Sequence, residues 1–274
     1  MKIFITYGDS KFKESLNRIR RQAKDSGLFD KIIIYKPSDL PPFIKASPLM
    51  AYRRGGGYWV WKPYIIYHTL SNCNIGDIVY YADSGCTINA QSEEWDLFTN
   101  YLQSSNAIFF QYRREHNYPG WDKACSIPEN NSTKIIHWMK PNCVSFFNDF
   151  FLDKGYQDFD KIWGGFIIIK KTRPLISVLD NWYRLTLFKP ELIMDPMGEE
   201  LNHLPESFNQ HRHDQAILTP LIYHYRTNDK ILVLPETSES SKESAAVIAS
   251  RYRMGKMSLR NYVKYKIYSY LHKR

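Results

Sequence analysis

Ile78-Val79-Tyr80-Tyr81-Ala82 is a short run of β-branched and aromatic residues that stops at a carboxylate, Asp83. The run does not alternate with polar residues, so it reads as a strand buried on both faces, which helices must cover. That requirement points to the α/β class. The opening of the chain agrees. Lys2 to Tyr7 reads as a strand, and Lys11 to Ser26 as a helix with Phe12, Leu16, Ile19 and Ala23 at helical spacing. Gly27 stops that helix, and Lys31 to Tyr35 reads as a second strand. A β-α-β start implies parallel pairing with a right-handed crossover.

Asp83 arrives where the third strand should leave the core, and Ser84-Gly85 turns the chain there. In open α/β sheets, ligands sit at the carboxyl ends of strands. A carboxylate at such a point suits a divalent metal that carries phosphate oxygens, and equally it can cap a turn. This segment alone does not separate the two.

At 274 residues the chain suits one large α/β domain, or one domain with appendages. Cys73, Cys86, Cys125 and Cys143 form no C-x-x-C pair, which argues against a zinc ribbon or a redox motif. The apolar run at Ile3 to Tyr7 is too short for a signal peptide, and no stretch has the length of a membrane span. The expectation is a cytoplasmic protein with free thiols, in which Asn131-Ser132-Thr133 is a chance sequon. The net charge of +9 is concentrated at one place. Residues 251–274 carry eight Lys or Arg and no acid, and the remainder holds 29 basic against 28 acidic residues. A nucleic-acid groove should be basic within the domain, so the neutral body opposes that function.

Further along, Pro37 to Pro48 reads as a proline-rich loop, and Pro63 fits the first turn of a helix running to about Leu70. Glu93 to Ser104 reads as a helix, Ala107 to Tyr112 as a strand, and Lys134 to Asp149 as largely helical. Trp163-Gly164-Gly165 reads as a turn into the buried strand that ends at Lys170. Pro174 to Phe188 is a helix, Asp195 to Asn209 a polar loop, His213 to Tyr223 a short helix and Lys230 to Leu234 a last strand.

Three segments carry chemistry. Gly55-Gly56-Gly57 lacks both the P-loop ending and the dinucleotide spacing. It is a tight turn or, with Lys62 at the following helix start, a diphosphate site. Gly164 and Gly165 allow a ligand close to the backbone, or simply turn the chain. His211-Arg212-His213-Asp214-Gln215 gathers donors and acceptors at a helix N-terminus; a lone Asp there would be an ordinary N-cap, but two histidines, an arginine and a glutamine beside it exceed what a helix start needs.

Together these segments resemble bacterial nucleotide-sugar glycosyltransferases of the GT-A fold. The lipopolysaccharide and capsule enzymes related to the glycogenin-like and Och1-like families are the most similar. The resemblance covers roughly residues 1–234. It rests on Ile3-Phe4-Ile5-Thr6-Tyr7-Gly8, Gly57 to Tyr64, Asp77 to Gly85, Trp163-Gly164-Gly165-Phe166 and His213-Asp214-Gln215. It implies a Rossmann-type mixed sheet flanked by helices. Thr6 and Tyr7 would hold the nucleotide base, with Trp61, Lys62, Asp83, Gly164, Gly165 and His213 also on the donor. A D-x-D motif would hold manganese or magnesium, but Asp83-Ser84-Gly85 has glycine in place of the second carboxylate. Asp83 is then the expected first metal ligand, with His224 or His211 supplying another. Asp214 and Gln215 resemble the pair that lies under the transferred sugar in retaining relatives.

The expected function is transfer of galactose or glucose from a UDP-sugar to a hydroxyl of a glycan or lipid-linked glycan acceptor. A non-catalytic sugar-binding module of the same fold is the alternative reading, and a nucleic-acid-binding protein a remoter one. Residues 1–237 are expected to form the transferase domain, and residues 238–274 a linker and a basic tail. In that tail Arg253, Lys256, Arg260 and Lys264 fall on one stripe of a helix, beside Tyr262, Tyr265 and Tyr268. Such a helix would lie on the anionic inner face of the cell membrane.

Overall fold

The computed structural model describes residues 1–113, 132–239 and 244–250. Residues 251–274, with the expected basic helix, lie outside them, as do Cys125 and Asn131.

A six-stranded sheet organises the chain. Its strands are β1 (Lys2–Tyr7), β2 (Lys31–Tyr35), β3 (Ile78–Ala82), β5 (Ala107–Gln111), β6 (Ile162–Lys170) and β7 (Ile231–Pro235). Their order is β2-β1-β3-β6-β5-β7. β1 pairs in parallel with β2 and β3, and β5 with β7, whereas β6 runs antiparallel between β3 and β5. The sheet is therefore mixed and mostly parallel, as expected. Because β6 is reversed, its first residues stand at the same edge as the carboxyl ends of the other strands.

Six helices of ten or more residues flank the sheet among the described residues: α1 (Lys13–Asp25), α2 (Trp61–Ser71), α3 (Glu94–Ser104), α4 (Pro141–Phe151), α5 (Arg173–Phe188) and α6 (Asp214–Tyr225). On α1, Leu16, Ile19 and Ala23 are buried, the stripe expected from their spacing. α5 starts where Thr172 accepts a hydrogen bond from the Leu175 N–H and Pro174 fits the first turn. α2 buries seven of its eleven residues, Lys62 among them, and leaves Tyr64, Tyr67, His68 and Ser71 as its more exposed stripe. α2 packs against α5, and α5 against α6. None of the described helices is long and apolar enough to cross a membrane.

The strand cores follow from burial on both faces. Ile5, Tyr81, Ile108, Phe109, Ile167, Ile168 and Ile169 are fully buried, each such side chain contributing about 1.5–3 kcal/mol of transfer free energy.

Three local features depart from expectation. The Pro37 to Pro48 segment holds short helical turns at Pro37–Asp39 and Pro42–Lys45, and another begins at Pro48. Gly55 to Trp59 form a left-handed turn, with φ of 59°, 57°, 94°, 52° and 61° along five consecutive residues. Glycine adopts that region freely, but Tyr58 and Trp59 each cost about 1–2 kcal/mol there. Finally, Thr87–Ile88 (β4) and Val247–Ile248 (β8) form a separate two-stranded pair. Ala245, Ala246 and Val247 are buried by it, so this stretch packs on the body.

Candidate active site

β6 is not a turn leading into a strand, as Trp163-Gly164-Gly165 was read, but a strand from Ile162 onward with an irregularity inside it. Ile108 pairs with Ile168 while Phe110 pairs with Trp163, so two steps along β5 span five along β6. The excess falls between Trp163 and Ile168, the stretch that opens with Gly164-Gly165. Bulges of this kind often aim side chains or backbone at an active site.

Three charged side chains converge on that bulge. Lys62 Nζ lies 3.0 Å from Asp214 Oδ2 and 3.4 Å from Asp83 Oδ1. It also donates to the Gly164 carbonyl at 3.1 Å. Lys62 and Asp214 are each 2% exposed, whereas the Asp83 side chain is 39% exposed. The elements that deliver them explain their positions. Lys62 is in the first turn of α2, Asp83 follows the last residue of β3, and Asp214 opens α6. The Asp83 N–H bonds the Gly165 carbonyl at 2.9 Å, which ties the end of β3 to the bulge. Tyr81, two residues earlier on the same face, donates its hydroxyl to Asp83 Oδ1.

Burial is the largest influence on both members of the inner pair, and it disfavours both charges. For Lys62 the attraction of Asp214 and Asp83 outweighs it, and the pKa ends above the ordinary lysine value. For Asp214 burial outweighs Lys62, and the carboxyl is raised. These directions oppose each other. The charged pair is the resting state, because Lys62 has three acceptors within 3.4 Å and a neutral Asp214 would leave its ammonium poorly compensated. The site then holds one ammonium against two carboxylates.

Asp214 is set in place by strain and by contacts behind it. His213 has φ 49° and ψ −116°, a backbone conformation suited to glycine. Its Nδ1–H donates to the Ile193 carbonyl at 2.8 Å, and its ring lies 4.8 Å from Tyr58 and 5.5 Å from Trp59. Burial, moderated by that carbonyl, pushes the His213 pKa down to about 4. Trp182 Nε1 donates to the Asp214 carbonyl at 3.1 Å. In front, Asp214 Oδ2 takes the Lys62 ammonium at 3.0 Å, whereas Gln215 Oε1 is buried and no hydrogen bond meets it. A Cβ built on Gly164 would lie 3.3 Å from Gln215 Cγ and 3.4 Å from Asp214 Oδ2. The glycine therefore lets these side chains close up on the backbone, with barely room left for a methyl group.

The other expected residues divide. Tyr7 stacks on Trp61 with ring centroids 3.9 Å apart, and burial raises its hydroxyl to a pKa of about 12. Thr6 is fully buried, and its hydroxyl meets no hydrogen-bond partner. Lys62, expected on a diphosphate, has its three N–H groups committed within the protein. The expected metal set does not assemble. His211 is fully buried, with Nε2–H donating to the Leu192 carbonyl at 2.8 Å and Nδ1 accepting from the Lys140 N–H at 3.2 Å. Both ring nitrogens are used, so it has none for a metal. His224 sits ten residues along α6 from Asp214, about 15 Å down the axis, and stacks on Phe151 at 4.1 Å. No group of three His, Cys, Asp or Glu poised for a metal exists among the described residues. Of Asp83 and Asp214, Asp83 alone offers an outward carboxylate.

Sequence reasoning missed Tyr81, Tyr58, Trp59 and Trp182. For Tyr81 the signal was available, since it shares the face of Asp83 by strand alternation. A cleft of about 440 Å³ lined by Gln111, Lys134, Asp160 and Arg226 lies by the outer strand β7, and Lys62, Asp83 and Asp214 do not line it.

No protein-family model matches this sequence, and no curated protein matches it. Solved structures are similar at low identity. Apo mouse xyloside xylosyltransferase 1 is 12% identical with a TM-score of 0.42, over 87% of this chain and 86% of that one. The galactosyltransferase LgtC, solved with donor and acceptor sugar analogues, is 13% identical with a TM-score of 0.38, over 85% and 73%. The bifunctional glycosyltransferase WbbM is 11% identical with a TM-score of 0.37, over 85% of this chain and 38% of that one.

Proposed function

We propose that this chain is a GT-A-type glycosyltransferase that moves a hexose, galactose or glucose, from a UDP-sugar to a hydroxyl of a surface-glycan acceptor with retention of configuration. The observation that carries the proposal is the buried Asp214 carboxylate, held by Lys62 beside the unmet Gln215 Oε1 and against the Gly164 backbone at the carboxyl edge of the sheet. The Gln215 oxygen, and the lone pairs that Lys62 leaves on the Asp214 carboxylate, suit sugar hydroxyls in the ground state. As the bond to the leaving diphosphate breaks, positive charge grows at the anomeric carbon, and a preorganised carboxylate beside it favours that change. Lys62 keeps Asp214 ionised, and His213 and Trp182 hold its backbone. Tyr7 and Trp61, at the end of β1 and the start of α2, are proposed to border the base.

The divalent ion implied by the resemblance would find one open carboxylate, Asp83, and the phosphates of the donor, with no protein cage. Binding of the basic residues 251–274 to an anionic membrane surface completes the proposal and rests on their composition.

An NMR screen of UDP- and GDP-sugars, for binding and for slow hydrolysis with and without manganese, tests the reading. UDP-galactose or UDP-glucose should bind and be hydrolysed, and hydrolysis should vanish in Asp214→Asn. Absence of binding by every nucleotide sugar at millimolar concentration would overturn it. Binding without hydrolysis or transfer would favour the non-catalytic sugar-binding module.

A further inference from the structure

We propose that Asp83 and Asp214 form a cation site whose resident cation is the ammonium of Lys62. The unliganded protein would then take up no divalent ion there, and replacing the lysine would create a metal site. The inference uses the geometry of the unliganded protein and does not depend on the glycosyltransferase reading.

An ammonium has three N–H donors and no acceptor. Lys62 Nζ has three oxygens around it: Asp214 Oδ2 at 3.0 Å, the Gly164 carbonyl at 3.1 Å and Asp83 Oδ1 at 3.4 Å. Two carboxylates and a carbonyl form the set of hard oxygens that manganese, magnesium or calcium takes. A divalent ion sits roughly 2.0–2.6 Å from such oxygens, so the cluster would contract by less than about 1.5 Å to hold one. With the ammonium present, the ion would have to share that point with a positive charge.

Lys62 has no way out of the site. It is 2% exposed, and it begins a helix that is buried on most of its surface. Trp61 before it stacks on Tyr7, with its Nε1–H fixed on the Gly55 carbonyl at 2.9 Å. Its Nζ also lies 5.5 Å from the ring centre of Tyr81 and 6.0 Å from that of Trp59. A second carboxylate in the Asp83 loop could hold an ion outside the lysine, but Gly85 stands at that place.

The probe is Mn²⁺ alone, titrated into the full chain and followed by electron paramagnetic resonance. The wild-type protein should show no site tighter than about 1 mM at Asp83. Lys62→Met should bind one Mn²⁺ at least tenfold more tightly, and Lys62→Met with Asp83→Asn should lose it. A sub-millimolar site in the wild type that Asp83→Asn abolishes would overturn the proposal, as would a folded Lys62→Met no better than wild type. A measurement on the wild type keeps the test decisive if Lys62→Met does not fold. Millimolar Mn²⁺ should leave the NMR signals of the Lys62 ammonium and the Asp83 amide unbroadened, and selective broadening of either would refute the inference.

Discussion

Gly164 stands directly against Asp214: a methyl group in place of its hydrogen would lie 3.4 Å from Oδ2 and 3.5 Å from Lys62 Nζ. These are near-normal contacts, and the closest neighbour, Gln215 Cγ at 3.3 Å, belongs to a side chain that can yield. Gly164→Ala should therefore fold, with a change in stability within about 1 kcal/mol. It should still lose transfer by on the order of 100-fold, since a displacement of about 1 Å at the reacting centre costs that much. Normal turnover in this variant would move the sugar away from Gly164.

Asp83→Ala removes the exposed carboxylate and leaves the inner pair in place. Activity should drop by on the order of 100-fold or more, as for other losses of electrostatic stabilisation, while the melting temperature stays near wild type. Steady-state kinetics beside a thermal scan separates the two effects. Full activity would place the site elsewhere.

Asp214→Asn should do both kinds of damage. It leaves the buried ammonium without its nearest charge, which costs about 3–5 kcal/mol when a partner is simply deleted. UDP affinity in the folded fraction should remain near wild type, because the proposed role of Asp214 is toward the sugar and not the nucleotide. NMR of the wild-type product linkage tests the stereochemistry. A β-linked product from an α-linked donor would make Asp214 a general base and defeat retention.

Stability should peak near pH 6.5. His211 and His213 have folded pKa values below the ordinary 6.5, through burial, with His213 at about 4. The unfolded chain thus binds more protons below pH 6.5, and stability falls as the solution is acidified. Glu236 is fully buried, and burial raises its pKa from 4.5 to about 8. Its folded form keeps a proton that the unfolded chain has lost, so its contribution disappears as the pH rises to about 8. Between pH 6.5 and 8 the loss should be about 2 kcal/mol. Thermal denaturation across pH 5 to 9 checks this, and a melting temperature that climbs from 6.5 to 8 would contradict it.

The glycine run makes a graded prediction. A Cβ at Gly55 would fall 2.4 Å from the Trp59 ring, whereas at Gly56 the nearest atom is 3.7 Å away. Gly56→Ala should cost about 1–2 kcal/mol for its left-handed backbone, and Gly55→Ala clearly more. Denaturant unfolding of the two variants reads the order directly, and equal losses would mean that the ring can swing aside.

Hydrophobic period made most of the sheet and helices legible, because Leu16, Ile19 and Ala23, or Ile78 to Ala82, declare their own burial. What escaped was set by partners far away in sequence. Lys62 looked like a phosphate ligand because it follows glycines at a helix start, yet residues 21 and 152 positions later claim its charge. One local sign of this was present. The polar-bearing stripe of that helix runs through Tyr64, Tyr67, His68 and Ser71, and Lys62 falls off it, on the apolar side. β4 and β8 are two residues long, too short for any period to reveal. His211 advertised metal chemistry and His213 a donor contact, but each ring already donates a hydrogen bond to a carbonyl, of Leu192 and Ile193 respectively.

The pairing of Thr87–Ile88 with Val247–Ile248 has a spatial consequence. Thr87 follows Asp83 by four residues, so their Cα atoms are at most about 15 Å apart. The strand that fixes residue 248 thereby moors the following chain beside the mouth of the site. A residue n positions beyond Ser250 stays within about 3.6 Å × n of that mooring, whatever shape it takes. Any surface that captures residues shortly after Ser250 must therefore hold Asp83 within a few tens of ångströms. Under the proposed function, acceptors gathered on such a surface would be the ones the site meets most often.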